Sequence, residues 1–334
     1  MAGVQALRKI QLGQETTPGT PVAATAIWRG IGTIEDTREM VFPEEHVGFV
    51  APLDRSYQPK IEGALTFEET PATFQQLPYV LAAGVSSVVS GAADGAGSGK
   101  IYAYPLPTTT KGSFKSFTLE GGDDQQAEEF NLCFVTDFQL SGEAFAAWMM
   151  TANWMGREVT PSTFTGALTI NAVEEILFSK TKLYIDAIGG TIGTTQITGT
   201  LLSAALNCVT GLRPVPVGDG NLFYSSADRK IKPELTLELT LEHNASAVAQ
   251  VAKFRAETPV LVRLEVQGSA LSMAGTTYSF HTLRIDMAGL WESFDKIDEQ
   301  DGDDIRAGTF RAGYDLTAAQ FATLTVVNEV TALP

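Results

Sequence analysis

The sequence predicts a mainly β protein made of two tandem copies of a β-sandwich or part-barrel domain, each carrying one short flanking helix. Three observations carry that expectation. The stretch "ELTLELTLE" alternates with period two, Leu235, Leu237, Leu239 and Leu241 on one face and Thr236, Glu238, Thr240 and Glu242 on the other, the signature of a half-buried strand. The segment "DRSYQPKIEGALTFEET" (54–70) aligns without a gap on "DRKIKPELTLELTLEHN" (228–244) at an offset of 174 residues. Asp54/Asp228, Arg55/Arg229, Pro59/Pro233, Leu65/Leu239, Thr66/Thr240 and Glu68/Glu242 coincide, a repeat spanning half the chain. Third, 334 residues with 44 % hydrophobic and 19 % charged side chains suffice for two packed domains and argue against disorder.

In chain order, "LRKIQLGQETTPGT" reads as a strand running into a Thr/Gly turn. An irregular stretch then leads to the alternating strand that ends at Thr70. Thr70 and Pro71 have the residue types of a helix N-cap and first helical position, and Pro78 is expected to kink or end the helix over 74–85. Strands follow at "KIYAYPL", "SFKSFTLEGG", "FNLCFVTDFQLSG" and "AAWMMTANWMGREV". The Thr/Ser/Pro/Gly cluster "TPSTFTG" (160–166) marks a boundary, giving domains 1–166 and 167–334.

The second copy opens with "KTKLYIDAIGGTIG", again strand then turn. After "ELTLELTLE", Asn244 is an N-cap for "ASAVAQVAKFRAET", whose Ala247, Val248, Val251 and Phe254 form one stripe that could lie on a sheet. The strands "PVLVRLEVQG", "YSFHTLRIDMAG", "AGTFRAGYDL" and "FATLTVVNEV" complete it.

The formal charge is −16, and both halves are acidic, the reverse of a protein that grips phosphates by counterion release. The N-terminal residues lack the apolar core of a signal peptide, and no run reaches membrane-spanning length, so the chain is expected to be cytosolic when made and to have no membrane partner. Cys133 and Cys208 lie in apolar, strand-like contexts and read as buried free thiols.

The sequence offers no catalytic constellation. In "GAADGAGSGK" (91–100) the first glycine of a P-loop would be at Asp94 and its hydroxyl at Ile101, and the flanking elements come in the wrong order; a flexible connecting loop accounts for it. The pairs Glu44-Glu45, Glu68-Glu69 and Glu128-Glu129 are adjacent residues that point to opposite faces of a strand, unlike the facing carboxylates of a glycosidase. "DEQDGDD" (298–304) fails the EF-hand spacing and reads as an acidic hairpin turn. His46, His243 and His281 lack metal-ligand spacing, and no nucleophile elbow occurs, so neither an enzyme nor a cofactor is expected. Trp28, Trp148, Trp154 and Trp291 could form a carbohydrate-stacking platform, which keeps a carbohydrate-binding or depolymerising sandwich as an alternative; core anchors are their commoner fate.

A doubled, acidic β-protein without a site resembles the major tail tube proteins of long-tailed bacteriophages. The resemblance rests on the opening "LRKIQLGQETTPGTPVAATAIWRG", on the strand pair "FVTDFQLSGEAFAAWMMTANWMGREV", and on the long stretches 30–60 and 211–232 before each "LT(F/L)E" strand. It implies inner sheets that join across subunits around a lumen, and rings that stack into a virion tail tube assembled in the host cytoplasm. Members usually carry one such domain; two here imply a ring of three chains with pseudo-sixfold symmetry. Further implied partners are the tape measure, tail terminator and distal tail proteins, with viral DNA passing unbound. Glu68, Glu238 and Glu242 are then candidates for the lumen. Glu44, Glu45, Asp54, Arg55, Asp228 and Arg229 are candidates for contacts between rings. The tube protein of a contractile secretion-type system shares the fold and is a second alternative, expected at about half this length.

Overall fold

Alternate burial is the plainest imprint of the sequence on the fold. Leu235, Leu237, Leu239 and Leu241 are buried, while Glu234, Glu238 and Glu242 on the same strand are exposed. The computed structural model describes residues 3–333 and is mainly β, with antiparallel sheets that do not close into a barrel. The first half runs β1 (Lys9–Gln14), β2 (Ala26–Trp28), β3 (Gly32–Asp36), β4 (Gly63–Pro71), α1 (Leu77–Gly84), β5 (Ala92–Ala93), β6 (Lys100–Pro105), β7 (Phe117–Gly122), β8 (Ala127–Glu143), β9 (Met149–Gly156) and β10 (Thr160–Ser162). The second runs β11 (Thr181–Ala187), β12 (Gln196–Ile197), β13 (Leu201–Val209), β14 (Leu212–Val215), β15 (Ser226–Arg229), β16 (Glu234–Glu242), α2 (Ala245–Arg255), β17 (Val260–Ala270), β18 (Phe280–Phe294), β19 (Asp298–Gln300), β20 (Asp303–Ala312) and β21 (Ala322–Asn328).

One pairing order occurs twice. In the first half the ladders give β2–β1–β7–β8–β10 and β3–β4–β9–β8. In the second they give β12–β11–β17–β18–β21 and β13–β16–β20–β18. The long strands β8 and β18 each serve two sheets, and each carries a bulge, between Val135 and Asp137 and between Trp291 and Ser293. A bulge raises the local twist, which lets one strand leave one sheet and enter another. Anchored on the bulges, the registers relate Leu65 to Leu237 and Phe67 to Leu239. This is two positions short of the ungapped alignment, and because two residues are one pleat period, the same faces remain matched.

The core lies between the two sheets of each half and is continuous through the chain: Leu65, Phe67, Phe117 and Trp154 in the first half, Leu237, Val262, Ile285 and Phe310 in the second. Trp28 stacks on Phe67 at 4.2 Å between centroids, and Phe117 meets Trp154 edge-on at 5.9 Å. Local rules place the helices only in part. Asn244 caps α2 as expected, its Oδ1 accepting from the N–H groups of Ser246 (2.9 Å) and Ala247 (3.2 Å). Thr70 and Pro71 instead belong to β4, and Pro78 is the second residue of α1 rather than its break, since the first turn needs no N–H from that residue. Every residue of α1 is buried; α2 buries Ala247 and Val251 but leaves Val248 exposed.

Two strand ladders join the halves. β13 pairs with β8 from Ser203 opposite Glu143 to Val209 opposite Asp137, making β3–β4–β9–β8–β13–β16–β20–β18 one sheet. β6 pairs with β21, and the glycine-rich stretch 91–100 holds β5 and the turn, 94–99, that joins it to β6. That turn is packed rather than loose. Buried Asp94 accepts from the N–H groups of Thr277 (2.9 Å) and Tyr278 (2.7 Å), and Ser272 N–H and Ser98 Oγ bond Glu329.

Candidate functional site

The eight-stranded sheet has one face packed on the core; the other is open except where the 210–233 stretch covers Phe134 and Met155. Strand alternation puts Glu35, Glu143, Glu234, Glu238 and Asp295 on the open face, where Arg311 lies between Glu234 (3.3 Å) and Glu292 (3.4 Å). Its middle is a trough of about 440 Å³ floored by β8, β13, β16 and β20 and walled by Glu69, Glu143, Glu238 and Asp295. Threonine, serine and alanine (Ser141, Ser203, Ala205, Thr240, Ala307, Thr309) make up the floor, which leaves the surface smooth and acidic. Of the lumen candidates, Glu238 lies in the trough. Glu242 lies further along the same strand beside Thr200 and Leu201, and exposed Glu68 sits at a β4 bulge that turns Glu69, not Glu68, into the trough.

Two edges of this sheet are unpaired among the described residues. β3 is bonded to β4 on one side only. At the other end, Gly289 pairs with both Val260 and Ala312, so β17 and β20 flank β18 on opposite sides. Past Gly289 the β17 side of β18 has no partner. In the first half the same side of β8 is taken by β13. Unpaired backbone on a sheet edge is a template for another strand.

The two long stretches behave differently. Residues 37–62 form an extended arm closed by backbone bonds Thr37 N–H to Glu62 and Val41 with Tyr57 in both directions. Phe42, Phe49 and Val50 are exposed on it, as are Glu44 and Asp54, while Arg55 pairs with Glu45 within the arm. The counterpart, 210–233, is folded onto the first half of its own chain. Tyr224 packs edge-on to Phe134 at 6.1 Å and donates to the Leu132 carbonyl (3.3 Å). Arg229, expected to meet another ring, is instead buried. Its guanidinium donates to Thr210 (2.7 Å) and to Gly84 (2.8 Å) and Val85 (3.1 Å), the carbonyls that end α1, where a cation also offsets the helix dipole. Asp228 pairs with Lys111 near the surface, again within the chain.

Ser269, His281 and Glu174 come together, unforeseen from residues so far apart in sequence. Ser269 Oγ (3.3 Å) and the Glu174 carboxylate both address His281 Nδ1, while Nε2 is buried without a partner. A nucleophilic triad needs the hydroxyl on one ring nitrogen and the acid on the other. The cluster clips the 163–180 connection onto the second half. Burial opposes ionisation of Glu174, but the bonds from Ser269 and His281 win and hold its carboxyl below the usual range. All four tryptophans are buried, which removes the stacking platform. Cys133 and Cys208 are buried free thiols, and burial pushes Cys208 up to about 12. The acidic run 298–304 is a hairpin whose two turn residues, Asp301 and Gly302, have φ of 56° and 92°, as a primed turn requires.

No helix among the described residues is long and apolar enough to cross a membrane. No protein-family model matches the chain, and no curated protein matches it in sequence.

Proposed function

We propose that the protein is a tail-tube subunit that polymerises as stacked rings around a lumen lined by the open face of its eight-stranded sheet. The observation that carries this reading is the sheet itself: it runs unbroken through two halves of identical pairing order and ends in two unpaired edges. Edges of that kind stay unpaired in a monomer at the risk of aggregation; closure into a ring removes them. Three chains, each giving two equivalent sandwiches, make a ring of sixfold pseudo-symmetry, and the two tandem domains are read as copies of one unit.

The charge supports a conduit. Duplex DNA carries one negative charge per about 1.7 Å of axis, and a basic bore would hold it. A smooth floor of small residues under Glu69, Glu143, Glu238 and Asp295 offers no cation to a phosphate and repels it over about 8 Å at physiological salt. The role is structural, without catalysis or cofactor. The carbohydrate-binding alternative loses its main residues with the burial of the tryptophans. Electron microscopy with sedimentation of the purified protein tests the reading. Rings or tubes of uniform bore are expected; a protein that stays monomeric at every concentration and salt tried contradicts it.

A further inference from the structure

We infer that the 37–62 arm of one copy docks on the second half of a neighbouring copy in the same ring, repeating between chains the junction that β13 and the 210–233 stretch make within the chain. The inference rests on the tube reading and adds the register and the receptor to it.

The internal junction is the template. There, β13 pairs with the free side of β8, and the stretch after it lays Tyr224 over Phe134 and Leu132 and Arg229 on the end of α1. Bulge-anchored equivalence carries Phe134 to Leu290 and Met155 to Arg311. At the equivalent place the second half has an open groove of about 320 Å³, lined by Pro259, Leu290, Arg311, Ala312 and Tyr314. Leu290 is 42 % exposed there, whereas Phe134, covered by Tyr224, is buried. The groove is thus the first half's covered cluster with its cover missing.

The matching cover is on the arm. The phrase "GFVAPLDR" (48–55) aligns with "LFYSSADR" (222–229), so Phe49, Val50 and Arg55 correspond to Phe223, Tyr224 and Arg229. Phe49 is 72 % exposed and Val50 fully so, and neither packs against a buried apolar cluster of its own chain. The helices agree. Buried α1 is the one whose end Arg229 covers; α2, with Val248 exposed, lacks that cover. Docked in the same way, Arg55 reaches the carbonyls that end α2.

The same equivalence fixes the seam. Val209 opposite Asp137 is a pair without mutual backbone bonds, because Thr210 N–H donates to the Thr136 carbonyl beyond it (3.0 Å). It carries to Thr37 opposite Ser293 of the neighbour, both exposed and small. Glu35 then stands opposite Asp295, a like-charge pair that makes the seam stronger in added salt.

The test uses the full chain with Thr37→Cys and Ser293→Cys, separately and together, oxidised after assembly. The native thiols, Cys133 and Cys208, are buried and serve as the background control. The double variant is expected to give covalent oligomers ending at the closed ring, and a mixture of the two single variants to give covalent dimers only. Val50→Asp and Leu290→Asp, each exposed in the free chain, are expected to abolish assembly with an unchanged thermal unfolding curve. Tubes that form without crosslinks, or that tolerate both aspartates, overturn the inference and leave the tube reading standing. A chain that never assembles, wild type included, overturns both.

Discussion

At the residue scale, buried polar groups are where this chain concentrates its specificity. Asp186, at the end of β11, is buried and accepts from the N–H groups of Gly193 (2.7 Å) and Thr195 (2.8 Å) and from Thr194 Oγ1 (2.6 Å). Burial would raise its pKa, but the donors outweigh it and hold the carboxyl at about 2. The folded value lies below the unfolded one of about 3.9, so its contribution is complete above pH 4 and is lost as pH falls toward 2. Asp186→Asn is expected to cost about 1–3 kcal/mol at pH 6, the price of weakening a buried acceptor, with the difference from wild type shrinking between pH 4 and 2. Denaturant unfolding across that range checks it; a difference constant with pH would show that the carboxylate charge plays no part.

At the scale of elements, caps and strands follow local chemistry while edges follow the whole. Asn244→Ala removes the acceptor for two N–H groups of α2 and is expected to cost about 1 kcal/mol of unfolding free energy, read from the shift in denaturant midpoint, with assembly retained. A loss below a few tenths would mean that packing of Ala247 and Val251 alone sets the helix start. The long strands β16 and β18 could be read from the sequence because half-burial writes period two into much of their length, and β17, buried on both faces, because its Val- and Leu-rich run has strand composition. β13 was harder: "LLSAALNCV" mixes small and apolar residues, since it is flanked by strands on both sides and its open face lies in the trough. α1 began later than Thr70 and Pro71 suggest because β4 keeps its ladder to β9 through Pro71. Arg229 resembled a surface residue, and nothing local to it reveals that α1, far away in sequence, supplies its carbonyl partners. The acidic face was legible as the polar side of "ELTLELTLE", but the bulge that puts Glu69 rather than Glu68 in the trough was not.

At the scale of the molecule, the two halves share a pairing order and differ in what covers them. The first half has its free β8 edge filled by β13 and its flank covered by the 210–233 stretch; the second keeps the corresponding edge and groove open. Under the proposed function that asymmetry makes the chain a link, with one junction made internally and one offered to the next copy. A helical reconstruction of the assembled protein at a resolution that separates strands tests this most directly. The account predicts three chains per ring, an inner sheet that passes from β18 of one chain to β3 of the next without a gap, and Val50 seated beside Leu290 of the neighbour. Rings in which β3 and β18 keep their open edges, or in which the 37–62 arm reaches only the ring above or below, would contradict it.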